Sequence, residues 1–252
     1  MSAKIALITG ASRGLGASMA KHLAAAGVDI VGTYVKDRTA AEAVASEVRR
    51  LGARAVVLQL DLSAKAHIDA FAAALPDALR KAFARPAFDY LINNAGIGIH
   101  APFSQTTEAQ FDEIMALQVK APFFLTQALL PSIVDGGRIL NVSSGLARFT
   151  LPGYSAYAAA KGAIEILTRY MAKELGERRI SVNVIAPGAI ETDFGGGAVR
   201  DNADLNRMIA AATALGRVGL PDDVGSAVAA LLSDTNGWIN GTRIEVSGGQ
   251  NL

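Results

Sequence analysis

The chain contains no cysteine, which excludes disulfide cross-links, thiol nucleophiles and thiolate-ligated metals. Histidine is nearly as scarce: His22, His67 and His100 stand far apart, without the spacing of a ligand set, so no metal site is expected. An excess of charge of one sign is missing too. The 24 Lys and Arg stand against 23 Asp and Glu, a formal net charge of +1 with no run of like charges, so neither nucleic acid nor an anionic membrane is an expected partner. The apolar part of the opening MSAKIALITG is too short to span a bilayer and runs into a glycine-rich turn instead of a cleavage site. The expectation is a soluble, cytoplasmic protein acting on small molecules. Internal repeats, low-complexity tracts and Pro/Ser-rich linkers are also lacking, and 252 residues that are 51% hydrophobic suffice for one large core, so one domain over 1–252 is expected.

What the sequence does have is alternation. Short aliphatic and β-branched runs at 4–9, 29–34, 54–60, 88–94, 137–143, 180–186 and 242–247 read as strands. Between them lie alanine-rich stretches at helical period, near 15–26, 38–51, 64–84, 107–132, 155–176 and 221–232. Strand and helix in strict alternation predict an α/β fold of Rossmann type: a doubly wound, seven-stranded parallel sheet with helices on both faces. The glycine-punctuated FGGGAVRDNADL at 194–205 interrupts this rhythm, and the segment around 189–212 is expected to be a mobile lid.

Strand one ends in TGASRGLG. Gly10, Gly14 and Gly16 there free the backbone to approach a pyrophosphate at a helix N-terminus, with Ser12, Arg13 and Leu15 in the same turn. The spacing is not G-x-G-x-x-G, and alone it would also suit a plain tight turn. An acid at the end of strand two would grip a ribose diol. Here the chain reads TYVKDR, with Tyr34 in the acid's place, Lys36 beyond it and Arg13 as a second cation, which favours a 2′-phosphate and hence NADP over NAD. Asp37 could substitute for the acid if the strand ended later.

Ser144 follows a buried strand and so sits at the carboxyl edge of the sheet, where open α/β folds bind ligands. Thirteen residues on, Tyr157 and Lys161 stand four apart in SAYAAAKG, on one helix face. Any one of these features could be structural. The ordered set resembles the short-chain dehydrogenase/reductase family over nearly the whole chain: TGASRGLG for its TGxxxGxG turn, Asn93 to Gly96 for its NNAG, Tyr157 to Lys161 for its YxxxK, and Pro187, Gly188 and Thr192 for its PGxxxT.

The resemblance implies an NADP(H)-dependent oxidoreductase that interconverts a ketone or aldehyde and an alcohol, of carbonyl or 3-oxoacyl reductase type. Tyr157 would be the acid or base, Lys161 would lower the phenol's pKa and hold the nicotinamide ribose, and Ser144 would polarise the carbonyl oxygen, leaving Ser143 a structural role. Gln118 falls where the family's fourth catalytic residue is an asparagine, a departure from the pattern. The cofactor would also meet Asp61, Leu62, Asn94, Ala95, Gly96, Pro187, Gly188, Ile190 and Thr192. Substrate would meet Ile97, Leu146, Phe149, Tyr154 and Phe194, with His100, Leu151 and Arg148 in the same loops. A homotetramer is expected by the same resemblance. The rival readings are a catalytically idle NADP-binding sensor, for which Gln118 alone speaks, and a nucleoside site of another enzyme such as a methyltransferase, which leaves YAAAK unexplained.

Overall fold

A computed structural model of the chain describes residues 3–252. Among the described residues the strands are β1 (Ile5–Ile8), β2 (Asp29–Tyr34), β3 (Ala55–Gln59), β4 (Phe88–Asn93), β5 (Ile133–Val142), β6 (Ser181–Pro187) and β7 (Arg243–Val246). All pairings are parallel, in the order β3-β2-β1-β4-β5-β6-β7. The chain winds outward from β1 in one direction and returns to wind outward from β4 in the other. The crevice where the order reverses, at the carboxyl ends of β1 and β4, is where such sheets take ligands.

Alternating side chains divide the core. Ile5 and Leu7 of β1 join a cluster with Phe71, Leu75 and Leu79 of α3 (Lys65–Phe83) and Leu125 and Leu129 of α5 (Ala121–Leu129). Ala6 and Ile8 join the opposite cluster, with Met19 and Leu23 of α1 (Gly14–Ala25), Val48 of α2 (Arg38–Arg50) and Val224 and Val228 of α9 (Pro221–Leu231). Both faces of the sheet are therefore covered, as buried parallel strands require.

The helix expected over 107–132 is broken. Thr107 caps α4 (Glu108–Met115) in a reciprocal capping box with Gln110, and a single π-helical turn at Ala116–Lys120 separates it from α5. Pro122, next to the π turn, has no N–H, so the α-type partner of the Gln118 carbonyl is missing and a wider turn fits there. Residues 108–132 have the length and hydropathy of a membrane-crossing helix, but Ala121, Leu125 and Leu129 spend that hydropathy on the core. Strand β5 begins earlier than its apolar run suggests, because Ile133 pairs with Phe88 before an irregularity around Gly136, whose φ is +78°. The segment after β6 contains a short 3₁₀ turn at Phe194–Gly197, then α7 (Ala198–Asp201) and α8 (Ala203–Ala211). Helix α6 (Ser155–Glu174) carries the tyrosine and lysine.

Candidate active site

The glycine turn joins β1 to α1. Gly10 and Gly14 have φ of +66° and +55°, and a Cβ at Gly16 would lie 2.3 Å from the Gly10 carbonyl oxygen. No side chain caps α1, whose N-cap is Arg13, so its first N–H groups are left to an outside acceptor. Ser12 and Leu15 lie in the turn, with Leu15 packed on the core. The floor is fixed by threonines that sequence reasoning missed: Thr9 Oγ1 accepts the N–H groups of Asn94 and Ala95, both at 2.9 Å, and Thr33 Oγ1 accepts that of Gly10 at 3.2 Å. Asn94 Nδ2 donates to the carbonyls of Thr9 and Gly10. This turn and the NNAG segment are thus one hydrogen-bonded unit.

At the end of β2, Tyr34 is half-buried while Arg13 and Lys36 are exposed. Asp37 caps α2, accepting the Ala40 N–H at 2.8 Å, so it does not turn inward as the missing acid. Asp61 accepts the Ser63 N–H at 2.9 Å, which together with nearby His67 and Lys36 holds its carboxyl below the usual range. Leu62 packs its side chain on the core.

Ser144 and Tyr157 meet at the carboxyl edge of β5. Burial pushes the Tyr157 phenol well above the ordinary range, and its hydrogen bond with the Ser144 side chain partly offsets this. Lys161 is 5% exposed; its Nζ donates to the Val142 carbonyl at 2.7 Å and lies 5.5 Å from the centre of the Tyr157 ring. Burial lowers its amine to about 7. The expected lowering of the phenol by a full ammonium is therefore reversed here, because both groups are desolvated and Lys161 is itself close to neutrality. Ser143 turns the other way: its Oγ donates to Glu165 at 2.6 Å and to the Lys161 carbonyl at 3.4 Å, a structural position as expected.

Gln118, in the π turn, is 2% exposed and donates to the Ile97 carbonyl at 2.5 Å. A Cβ at Gly96 would lie 2.7 Å from both Gln118 amide atoms, so glycine there is what lets the longer amide in. Pro187 ends β6. Gly188 and Ala189 lie against Gln250, whose Oε1 accepts the Ala189 N–H at 2.9 Å. Ile190 pairs with Gly219, and Thr192 faces Gly14 and accepts the Phe194 N–H at 3.2 Å.

The residues expected to meet substrate are gathered by aromatic contacts. Tyr154 lies edge-on to both His100 and Tyr157, with ring centres 5.0 and 6.5 Å away, and Phe194 tilts over Tyr157 at 5.8 Å. Leu146 packs in the same cluster as Tyr157 and Tyr154; Phe149 lies against Gly145. Leu151 is exposed. Arg148 is engaged elsewhere, donating to the carbonyls of Gln250 and Asn251 near the C-terminus.

The model of a family described as enoyl-(acyl carrier protein) reductase matches residues 10–251. A tetrahydroxynaphthalene reductase of Pestalotiopsis fici is 35% identical, over 98% of this chain and 91% of that protein. Among solved structures, the promiscuous reductase LugOII, which catalyses keto-reduction at C1 during lugdunomycin biosynthesis, superposes with a TM-score of 0.93 at 36% identity, covering 98% of this chain and 97% of that one. The angucycline C-6 ketoreductase LanV with bound NADP also gives 0.93, at 35% identity over 98% and 95% of the two chains. LanV with NADP and rabelomycin gives 0.89, at 36% identity over 99% and 97%.

Proposed function

The chain belongs to the short-chain dehydrogenase/reductase family, and from that premise we propose that this oxidoreductase is an NADPH-preferring ketoreductase whose substrates are ketones on a flat aromatic or fused-ring frame. The observation that carries the proposal is the aromatic line His100–Tyr154–Tyr157–Phe194 around the Tyr157–Ser144 pair. Rings at these spacings offer faces and edges to a planar substrate. The naphthol- and angucycline-type substrates in the names of the relatives support the same class.

When bound, NADPH supplies the hydride. Tyr157 protonates the forming alkoxide and Ser144 donates to the same oxygen. A phenol held protonated by burial suits the acid role and the reductive direction. Lys161 holds the nicotinamide ribose, while Gln118 braces Ile97 and with it the floor under the cofactor. Gly10, Ser12, Gly14 and Gly16 receive the pyrophosphate beside Leu15; Arg13 and Lys36 flank Tyr34 and receive the 2′-phosphate. Asp61, Leu62, Asn94, Ala95 and Gly96 border the adenosine, and Pro187, Gly188, Ile190 and Thr192 the nicotinamide. The segment 189–212 is a lid whose tip, Phe194, rests on Tyr157; three successive positive-φ glycines, Gly195 to Gly197, follow it. The exposed Phe111, Phe123, Ile166 and Tyr170 on α4, α5 and α6 support a homotetramer, which sedimentation at working concentration tests.

The test of function is NADPH and, separately, NADH consumption with β-tetralone, aliphatic, steroid and sugar carbonyls and a 3-oxoacyl thioester. Fastest turnover with NADPH and the fused-ring ketone is expected. A 3-oxoacyl thioester preferred by tenfold or more would replace the proposed substrate class, and NADPH binding with no carbonyl reduced, by wild type or Tyr157→Phe, would favour the idle-sensor reading.

A further inference from the structure

The serine pair is held from behind by charge. Arg243 and Glu245 stand two apart on β7, and so on one face of it, while Glu165 faces them from α6. Arg243 Nε donates to Glu165 Oε1 at 2.7 Å, its Nη1 to Glu245, and its Nη2 to the main-chain carbonyl of Ser144 at 3.2 Å. The same Glu165 oxygen accepts the Ser143 hydroxyl at 2.6 Å. One carboxylate–guanidinium pair thus grips both serines, Ser143 by its side chain and Ser144 by its backbone. The line continues: Glu245 lies 3.5 Å from Arg148 Nε, and Arg148 reaches the carbonyls of Gln250 and Asn251. Arg148, Glu245, Arg243 and Glu165 alternate in sign, sum to zero, and keep only 20–34% of their side-chain surface exposed, so each charge is neutralised where water screens it poorly.

The geometry points to Arg243 as a positioning residue for the reaction: by fixing the Ser144 carbonyl between α6 and β7 it keeps the Ser144 hydroxyl aimed at the oxygen that Tyr157 protonates. Only a guanidinium meets the demand, because three acceptors in three directions need a planar fork of donors, which a lysine ammonium does not present in fixed array. A salt bridge that merely fastened β7 to α6 would need Glu165 but no bond to the catalytic turn.

The inference rests on the proposed role of Ser144, and the experiment separates the two. Single-turnover oxidation of NADPH by β-tetralone is measured for wild type, Arg243→Lys, Arg243→Met, Ser144→Ala, Tyr157→Phe and Ser144→Ala with Arg243→Lys, with NADPH affinity and Tm alongside. Arg243→Met leaves Glu165 without a cationic partner and is expected to lower Tm; Arg243→Lys retains the charge. We expect Arg243→Lys to bind NADPH as wild type does and to transfer hydride about ten- to a hundredfold more slowly. In the Ser144→Ala background the same change should cost less than about twofold, since residues that act through one another do not add. An Arg243→Lys rate within about twofold of wild type, or an equal loss in both backgrounds, overturns the inference. Wild-type turnover by Tyr157→Phe would instead overturn the underlying account of the site.

Discussion

The proposed cofactor side and the proposed substrate side of this site are built from different materials. Beneath the glycine turn, Thr9, Thr33 and Asn94 hold backbone to backbone, and the atoms presented outward are main-chain N–H groups at the start of α1. Across the crevice the surface is made of side chains on loops: Tyr154, Phe149 and Phe194, the last 46% exposed and followed by three positive-φ glycines. Phosphate is recognised by backbone geometry, which tolerates few sequences; a flat apolar ligand is recognised by ring surfaces that many sequences supply. On the proposed function, the first half would specify a cofactor and the second would permit a class of substrate.

The comparison breaks most severely at Gly16. A Cβ there would stand 2.3 Å from the Gly10 carbonyl and 2.7 Å from Asn94 Nδ2, both fixed by the unit that forms the cradle. Gly16→Ala should weaken NADPH binding by at least about a hundredfold, read by fluorescence titration, because overpacking must displace that backbone. Replacing Arg13 and Lys36 by alanine should leave NADH use intact and cut the preference for NADPH by about tenfold per charge, the worth of a charge-assisted hydrogen bond. On the other side, Phe194→Ala should leave NADPH affinity unchanged and raise KM for β-tetralone by about tenfold, the effect of one lost aromatic contact surface. A parallel change in NADPH affinity would show the two halves to be one.

Lys161 offers the smallest effect and a check on burial. Its amine falls from 10.5 to about 7 in the folded chain, so between those values the unfolded chain holds a proton that the folded one has released. Stability from this group therefore rises with pH across that window, and below it the cost of burying the ammonium is felt in full. Lys161→Met should melt about 2–4 °C higher than wild type near neutrality, the gap closing as pH approaches 10.5. A gap that widened with pH would contradict the depressed amine.

Most of the fold was legible because its signals are local: β-branched runs, alanine-rich helical stretches and the glycines of TGASRGLG each lie within a few residues. Gly10 and Gly14 take the positive-φ turn after β1, and Ser144, Tyr157 and Lys161 come together after β5, where their motifs mark them. The π turn was not legible, since one extra residue per turn leaves hydropathy along 107–132 unbroken; Pro122 was its only trace. Thr9 gave no signal, because its partners Asn94 and Ala95 are 85 and 86 residues away. Arg243 and Glu245 show an alternating charge pair on a strand, yet nothing in the sequence says that Glu165 and the Ser144 carbonyl lie opposite them. The reversal at Tyr157 and Lys161 was hidden for another reason: spacing places two groups on one helix face but does not say how dry that face is.

The most direct measurement is the fate of the hydride. With NADPH carrying deuterium at both positions of the transferring carbon and β-tetralone as acceptor, mass spectrometry of the alcohol should find one deuterium on the carbinol carbon with wild type, and a rate lower by about 100- to 10,000-fold with Tyr157→Phe at unchanged NADPH affinity. Alcohol free of deuterium, or formed as fast by Tyr157→Phe as by wild type, would contradict the account.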